Sequence, residues 1–233
     1  MNKILIVAAH PDDEVLGCGG TVARYLNEGN VEVATLILGE GITSRDKYRD
    51  RDSRNIEIES LKKNIINANR ILGIEKVFSF DFPDNRFDTV ALIDIIKVIE
   101  DIKWSFMPDT IFTHFANDMN IDHAVTNKAV LTATRPMHDE PVKEIYAFEI
   151  LSSTEWNFPL SFSPDMFVDI CGTIKKKQEA MGVYKDELRD FPHPRSLEGI
   201  ALNAKYWGMK LGLKYTEAFQ TIRRIMIPPP PPK

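Results

Sequence analysis

Short apolar runs alternate with longer amphipathic segments over the first 150 residues of the chain. In the longer segments apolar residues recur at helical spacing, as Ile58, Leu61 and Ile65 do, which predicts helices that bury one face. The short runs predict buried strands at residues 3–9, 31–38, 77–80 and 110–113. Strands that alternate with helices predict βαβ units, and therefore a Rossmann-like α/β fold with a mostly parallel sheet flanked by helices.

The pattern is less regular after residue 150. Beyond the stretch 142–150 it predicts a strand at 166–170, helices near 173–188 and 196–211, and a last segment of alternating apolar residues at 215–222. No linker or internal repeat interrupts the chain, so we predict a single domain over residues 1–226. Five consecutive prolines then follow, and residues 227–233 are predicted to form an extended, proline-rich tail of polyproline II type.

The composition is that of an ordinary globular protein. Hydrophobic residues make up 43% and charged residues 27% of the 233 residues, enough to bury a core. The net charge of -5 disfavours nucleic acid as a partner. The only cysteines, Cys18 and Cys171, form neither a disulfide framework nor a thiolate zinc cluster, which favours the cytoplasm. No apolar stretch approaches the ~20 residues of a transmembrane helix, and a homo-oligomer is compatible with the sequence.

Polar residues follow two of the predicted strands where each strand ends. His10, Asp12 and Asp13 come directly after the first strand, and Asn120-Ile121-Asp122-His123 comes shortly after the fourth. In open α/β sheets, ligands bind beyond the carboxyl ends of parallel strands. We therefore expect the two groups to lie at the same edge of the sheet.

These two groups contain the ligand types of a catalytic metal site. Catalytic zinc usually has three ligands from His, Asp or Glu and keeps one position open for water. His10, Asp13 and His123 can supply that set, and a sharp turn at Pro11 would let Asp12 take a proton from the water at the metal. The first group could equally be a turn with capping aspartates, and His123 an ordinary helix-terminal histidine. Their joint occurrence at one sheet edge favours a site.

Several stretches of the chain are distinctive as motifs. The first is Ala9-His10-Pro11-Asp12-Asp13-Glu14 with Gly17-Cys18-Gly19-Gly20 behind it; the others are Asp122-His123, residues 191–196 and residues 215–219. Together they resemble the PIG-L/LmbE-like N-acetylglucosaminyl deacetylase family over nearly the whole chain. The resemblance implies zinc, or alternatively Fe²⁺, held by His10, Asp13 and His123, with Asp12 as general base. It also implies hydrolysis of an acetamide on an amino sugar or its conjugate.

The chain departs from the family pattern at Asn120. The family often places a histidine at this position, three residues before the metal-binding histidine, where it helps to stabilise an oxyanion and where Asp122 would orient it. A neutral amide can donate a hydrogen bond but cannot protonate a leaving group. Asn120 is then a weaker oxyanion donor while Asp12 moves protons in both directions, or else His114 or His193 fills the role. Each of these two histidines could equally be a scaffold residue.

Three further residues are predicted to contact the substrate. Glu40 follows the second predicted strand, where the resemblance implies an acidic residue beside the sugar. Asp84, in the loop after the third strand, could bind sugar hydroxyls or belong to a turn. Arg54 is the nearest match to an arginine that the family often carries near the start of the second helix, and Lys62 or Lys63 could serve instead or face solvent.

The glycines at 17, 19 and 20 lack the G-x-G-x-x-G spacing of a dinucleotide site, and the carboxylates before them would repel a pyrophosphate. We predict a tight turn that packs backbone close to the metal loop. The leading hypothesis is a zinc-dependent hydrolase that removes the N-acetyl group from an amino sugar or its conjugate. The alternatives are an amidohydrolase for a non-sugar N-acyl substrate at the same site, a non-catalytic metal-binding or sugar-binding module, and a nucleotide-binding protein of Rossmann layout.

Overall fold

A computed structural model describes residues 2–159 and 161–226 of the chain. The strands of the described residues are β1 (Asn2–Ala8), β2 (Val31–Gly39), β3 (Lys76–Phe82), β4 (Thr110–His114), β5 (Glu144–Phe148), β6 (Met166–Asp169) and β7 (Thr216–Arg224). The α-helices are α1 (Asp13–Glu28), α2 (Asn55–Leu72), α3 (Leu92–Phe106), α4 (Ile121–Ala133), α5 (Ile174–Met181) and α6 (Leu197–Met209).

All these strands belong to one sheet, in the order β3-β2-β1-β4-β5-β7-β6. The first five strands of that order are parallel, and β7 runs antiparallel to both of its neighbours. The predicted Rossmann-like, mostly parallel sheet is therefore confirmed. The strand order reverses between β1 and β4, and in such sheets the crevice at the reversal point is where ligands bind.

Helices cover both faces of the sheet. Side chains of β1 alternate between two apolar cores: Ile4 and Ile6 pack on the side of α1, α2, α5 and α6, whereas Leu5 and Val7 pack on the side of α3 and α4. A strand buried on both faces has no polar side to present, which explains the continuous apolar run of its sequence. The central strands therefore form a rigid base beneath the residues that follow them.

The glycine cluster at residues 17–20, predicted to form a tight turn, lies instead inside α1. The helix is distorted at Cys18, where φ is -144°. A Cβ atom on Gly17 would lie 2.5 Å from the ring of Phe148, so glycine allows the helix to pack directly on β5. Beyond the distortion, Glu217 of β7 accepts a hydrogen bond of 2.9 Å from the Gly20 amide and restarts the helix. The prediction was wrong because these contacts come from distant parts of the chain.

No helix in the described part of the chain is both long and apolar enough to cross a membrane. The predicted proline-rich tail, residues 227–233, lies outside the described residues. One sheet takes strands from both halves of the sequence. The predicted single-domain α/β fold is confirmed, whereas its bounds, residues 1–226, stay a prediction.

Candidate active site

The turn between β1 and α1 brings the first group of polar side chains to the carboxyl edge of the sheet. Asp12 has φ 101°, in the left-handed region that costs energy for any residue but glycine. Two hydrogen bonds hold this strained turn: the His10 amide donates to Asp13 Oδ2 at 2.8 Å, and the Asp12 amide donates to Glu14 Oε2 at 3.0 Å. The side chains of the adjacent residues Asp12 and Asp13 consequently point to different places, Asp12 to the cavity and Asp13 to the metal cluster, as the sharp turn predicted at Pro11 requires.

His10, Asp13 and His123 form a buried cluster whose ligand atoms lie within 4.8 Å of one another. Asp13 Oδ2 is 3.4 Å from His10 Nδ1 and 3.4 Å from His123 Nε2. Asp13 Oδ1 and His123 Nε2 are buried and have no hydrogen-bond partner among the described residues. Leaving such atoms unpaired is costly, and a cation between them would satisfy both. The three residues therefore fit a metal ion.

A carboxylate outside the cluster contacts a ring nitrogen of each of its two histidines. His10 Nε2 lies 3.0 Å from Asp122 Oδ2, and the other oxygen of Asp122 accepts a hydrogen bond of 2.8 Å from the Phe87 amide. His123 Nδ1 lies 3.1 Å from Asp118 Oδ1. Such carboxylates fix the orientation of a metal-binding imidazole and leave its other nitrogen for the metal. Asp118 was not among the residues predicted from the sequence, although it lies on the same loop as Asn120.

A second set of groups, His10, Asp84 and Asp122, also has ligand atoms within 4.8 Å. Its carboxylates are already occupied, since Asp122 accepts from His10 and from the backbone. Asp84 Oδ2 accepts from the Ser44 hydroxyl at 2.6 Å, and Asp84 Oδ1 accepts from Asn85 Nδ2 at 3.2 Å. The set that contains Asp13 and His123 therefore fits a metal better, and Asp122 serves to hold His10.

The electrostatics of the cluster also favour a cation. Burial opposes the charged form of His10, yet hydrogen bonds to Asp122 and Asp13 raise its pKa well above the ordinary value. Burial likewise opposes the charged form of Asp13, but His123 and His114 hold its pKa well below the ordinary value. A metal ion can replace the proton that these carboxylates stabilise on the imidazole.

The metal cluster opens into a polar cavity of about 410 Å³, its open mouth included. His10, Asp12, Asp84, Asn120 and Arg195 are among the residues that line it. Burial raises the pKa of Asp12 well above the ordinary value, against the effect of the nearby Arg195 guanidinium. Arg195 was not among the site residues predicted from the sequence, although it lies in the distinctive stretch 191–196.

Asn120 is the N-cap residue of α4. Its Oδ1 accepts a hydrogen bond of 2.9 Å from the Asp122 amide, and its Nδ2 donates to Asn85 Oδ1 at 2.8 Å. The Asp122 carboxylate faces His10 and Phe87, so it does not orient residue 120 as expected. Asn120 therefore lines the cavity, but its Oδ1 caps α4 and its Nδ2 is bound to the loop that contains Asn85.

The two histidines considered as replacements for the family histidine have scaffold contacts. His114 is buried; its Nε2 accepts a hydrogen bond of 2.8 Å from the Ala9 amide, and its ring stacks on His123 at 4.0 Å. His193 Nδ1 accepts from the Arg195 amide at 3.1 Å. Neither lines the metal cavity and neither belongs to the metal cluster, so these contacts favour the scaffold interpretation.

Of the three predicted substrate residues, the structure brings only Asp84 to the metal cavity. Glu40 is buried and accepts from Thr43 at 2.5 Å and from Arg49 at 2.9 Å. Arg54 donates to Asp46 at 2.8 Å. Both residues thus hold the loop between β2 and α2 in shape, and Arg54 borders a neighbouring cavity. The lysines on α2 also lie away from the metal: Lys62 pairs with Glu59, and Lys63 faces solvent.

Residues 5–134 match the sequence profile of the family described as PIG-L, GlcNAc-PI de-N-acetylase. This range is more than half of the chain. It includes the second half of β1, the turn with His10 and Asp13, and His123 at the start of α4. The matched range therefore contains every residue of the metal cluster.

Relatives and solved structures agree with this match. The protein named uncharacterized deacetylase YaiS, from Escherichia coli strain K12, is 30% identical over 174 residues, which cover 72% of this chain and 81% of that relative. N,N'-diacetylchitobiose deacetylase from Pyrococcus horikoshii has a similar fold, with a TM-score of 0.75 at 20% identity over 95% of this chain and 84% of its own. GalB, the 4-carboxy-2-hydroxymuconate hydratase of Pseudomonas putida KT2440, has a TM-score of 0.74 at 21% identity over 98% and 99%. Because the same fold carries both reactions, the reaction of this chain has to be argued from its site.

Proposed function

Because the chain belongs to the PIG-L family, we propose that it is a metal-dependent hydrolase that removes the N-acetyl group from an amino sugar or an amino-sugar conjugate. One observation carries the proposal. Three buried ligands, His10, Asp13 and His123, have ligand atoms within 4.8 Å of one another, Asp13 Oδ1 and His123 Nε2 are unpaired among the described residues, and the separate carboxylate of Asp12 lines the adjoining cavity. A Lewis acid and a base placed side by side in this way can hydrolyse an unactivated amide.

Two histidines and one carboxylate suit zinc, and the same donor set also suits Fe²⁺. When bound, such a metal ion polarises the amide carbonyl and lowers the pKa of a water molecule toward ~7. The carboxylates of Asp122 and Asp118 hold the two imidazoles in position for this ion. We propose zinc as the resident metal.

Asp12 is proposed as the general base. Its side chain faces the cavity but is not part of the metal cluster, so it remains free to accept a proton. Burial raises its pKa, which makes the carboxylate a stronger base near neutral pH. Asp12 takes a proton from the attacking water and returns it to the sugar nitrogen as the carbon–nitrogen bond breaks. Acetate and a free amine are the products.

The polar lining of the cavity supports a sugar rather than an apolar acyl compound as substrate. Asp84 lines the cavity and is proposed to bind sugar hydroxyls. Asn120 is proposed to donate its amide hydrogen to the acetyl oxygen, for which it exchanges its contact with Asn85. Glu40 and Arg54 are proposed to act on the substrate only through the shape of their loop. Free cysteines at 18 and 171 support a cytoplasmic location.

An acetate-release screen tests reaction and substrate together. The zinc-loaded protein is incubated with N-acetylglucosamine, N,N'-diacetylchitobiose and an N-acetylated amino acid, and free acetate is measured. We expect acetate from the sugars only, and loss of activity after chelation that added zinc restores. Asp12→Asn should keep about one metal per chain and lose at least ~100-fold in kcat. Release from the amino acid alone would indicate the non-sugar amidohydrolase, and metal binding without any release would indicate the non-catalytic module.

A further inference from the structure

Arg195 reaches Asp12 from the far end of the sequence. Its Nη1 donates to Asp12 Oδ2 at 3.0 Å, across a separation of 183 residues. No other side chain in the described ranges, 2–159 and 161–226, hydrogen-bonds to this carboxylate. The Asp12 side chain is only 2% exposed, so the contact is a buried, charge-assisted hydrogen bond rather than a surface ion pair.

Arg195 is itself held in place by two further hydrogen bonds, and its Nη1 lies 3.8 Å from Glu187 Oε2. Its Nε donates to the Leu151 carbonyl at 3.2 Å, and its backbone amide donates to His193 Nδ1 at 3.1 Å. The chain then enters α6 through Ser196, whose hydroxyl caps the helix by accepting from the Gly199 amide at 2.8 Å. The guanidinium therefore presents a fixed donor to Asp12 instead of following it.

The surroundings of Asp12 explain why it needs such a partner. Asp13 and Glu14 follow it directly, and both carboxyl groups oppose its negative charge. Its backbone lies in a strained conformation that fixes the direction of Cβ but not the rotation of the carboxylate. Without a donor on Oδ2, the carboxylate could turn away from the reacting water. Asn120, on another part of the cavity lining, is neutral and supplies no compensating charge.

We propose that Arg195 is a positioning residue for the general base, and this rests on the function proposed above. The hydrogen bond to Oδ2 holds the plane of the Asp12 carboxylate and leaves Oδ1 to accept the proton from water. Lysine cannot reproduce the arrangement, because Arg195 uses Nη1 for Asp12 and Nε for Leu151 at the same time, and a single ammonium group cannot reach both.

Arg195→Gln and Arg195→Lys test the proposal against Arg189→Gln as the matched control. Arg189 is an exposed arginine of the same loop, and its guanidinium donates only to backbone carbonyls beside it. We expect both Arg195 variants to lose about 10- to 100-fold in kcat with little change in KM, because the bound substrate keeps its contacts while the base is misplaced. Metal content should stay at the wild-type level, and Arg189→Gln should behave as wild type.

Two measurements separate positioning from a structural role. Guanidinium added to Arg195→Ala should restore part of kcat, and a crystal structure of Arg195→Gln should show the Asp12 carboxylate rotated. If Arg195→Gln folds poorly, Arg195→Lys keeps the charge on a shorter side chain, and its kcat then decides. If the wild type is active and the Arg195 variants have the same kcat as Arg189→Gln, the positioning role is overturned and the proposed function is not. A zinc-loaded wild type that releases no acetate from any substrate would overturn the proposed function, and the role of Arg195 with it.

Discussion

The two walls of the metal cavity are built in different ways. The inner wall, residues 10–14 and 118–123, consists of residues that follow β1 and β4 at the centre of the sheet, and most of its polar side chains are buried. The outer wall consists of two loops, residues 40–54 and the segment from which Glu187 and Arg195 line the cavity, joined by ion pairs such as Arg45 with Glu187. The inner wall takes its geometry from the sheet, whereas the outer wall takes it from contacts between side chains distant in sequence.

The largest effect should come from breaking the inner wall at a metal ligand. His123→Ala removes one of the three ligands and leaves Asp13 Oδ1 buried without a partner. We expect metal content below one tenth per chain after dialysis, and acetate release at background. His138→Ala, which alters an exposed histidine in the loop before β5, is the matched control and should keep both. Full metal content in His123→Ala would refute the assigned ligand set.

The inner wall should also respond to pH through its histidines. Asp122 and Asp13 raise the pKa of His10, and Asp13 and Asp118 raise that of His123, although burial opposes both charged forms. Below those raised values a proton occupies each imidazole and must leave before metal binds, so metal affinity falls as pH falls. We expect a loss of roughly tenfold per pH unit for each protonated histidine, starting above the ordinary value of 6.5.

Competition with a chelator of known affinity, at several pH values, measures this dependence. Asp122→Asn weakens the hydrogen bond that stabilises protonated His10, so it should move the onset of metal loss to lower pH. An affinity independent of pH between 5 and 8 would contradict histidine ligation.

Asp118→Asn should have an intermediate effect. The substitution keeps the size of the side chain but removes the charge that lies 3.1 Å from His123 Nδ1. Loss of a carboxylate behind a metal-binding histidine typically costs ~10- to 100-fold in metal affinity. Asp118 also accepts hydrogen bonds from Ser153 and Thr154, so Ser153→Ala serves as a control that removes a neighbouring contact alone. Equal metal affinities for Asp118→Asn and Ser153→Ala would show that the carboxylate does not tune His123.

The difference between the walls also decides what could be predicted from the sequence. The positions of His10, Asp13 and Asp84 follow from strand ends, because an apolar run that stops at polar residues identifies the carboxyl edge of a parallel sheet. His123 follows from the same rule and from its place in the first turn of α4. Local patterns were sufficient here because each residue lies on the chain segment that follows a strand of the parallel part of the sheet.

The outer wall could not be predicted in this way. Glu40 and Arg54 have the residue types of substrate contacts, but Arg49 and Asp46 pair with them and fix the loop. Arg195 contacts a residue 183 positions away, and no spacing in the sequence indicates that contact. Side-chain pairing between loops depends on where the sheet places those loops, which is known only once the fold is known.

The smallest effect should come from breaking an ion pair of the outer wall. Arg45→Gln removes the ion pair with Glu187. The Arg45 side chain is 42% exposed and the Glu187 side chain is 18% exposed. Solvent screens such a pair, so we expect the free energy of unfolding to fall by less than about 1 kcal/mol, with metal content unchanged. Urea denaturation of Arg45→Gln, Glu187→Gln and the double variant isolates the pair, and Arg24→Gln provides a matched exposed pair on α1. The sheet holds the inner wall, so the metal centre should not depend on this ion pair. Loss of metal in Arg45→Gln would show instead that the outer wall supports the metal centre. A decrease in the free energy of unfolding well above that of Arg24→Gln would show the same.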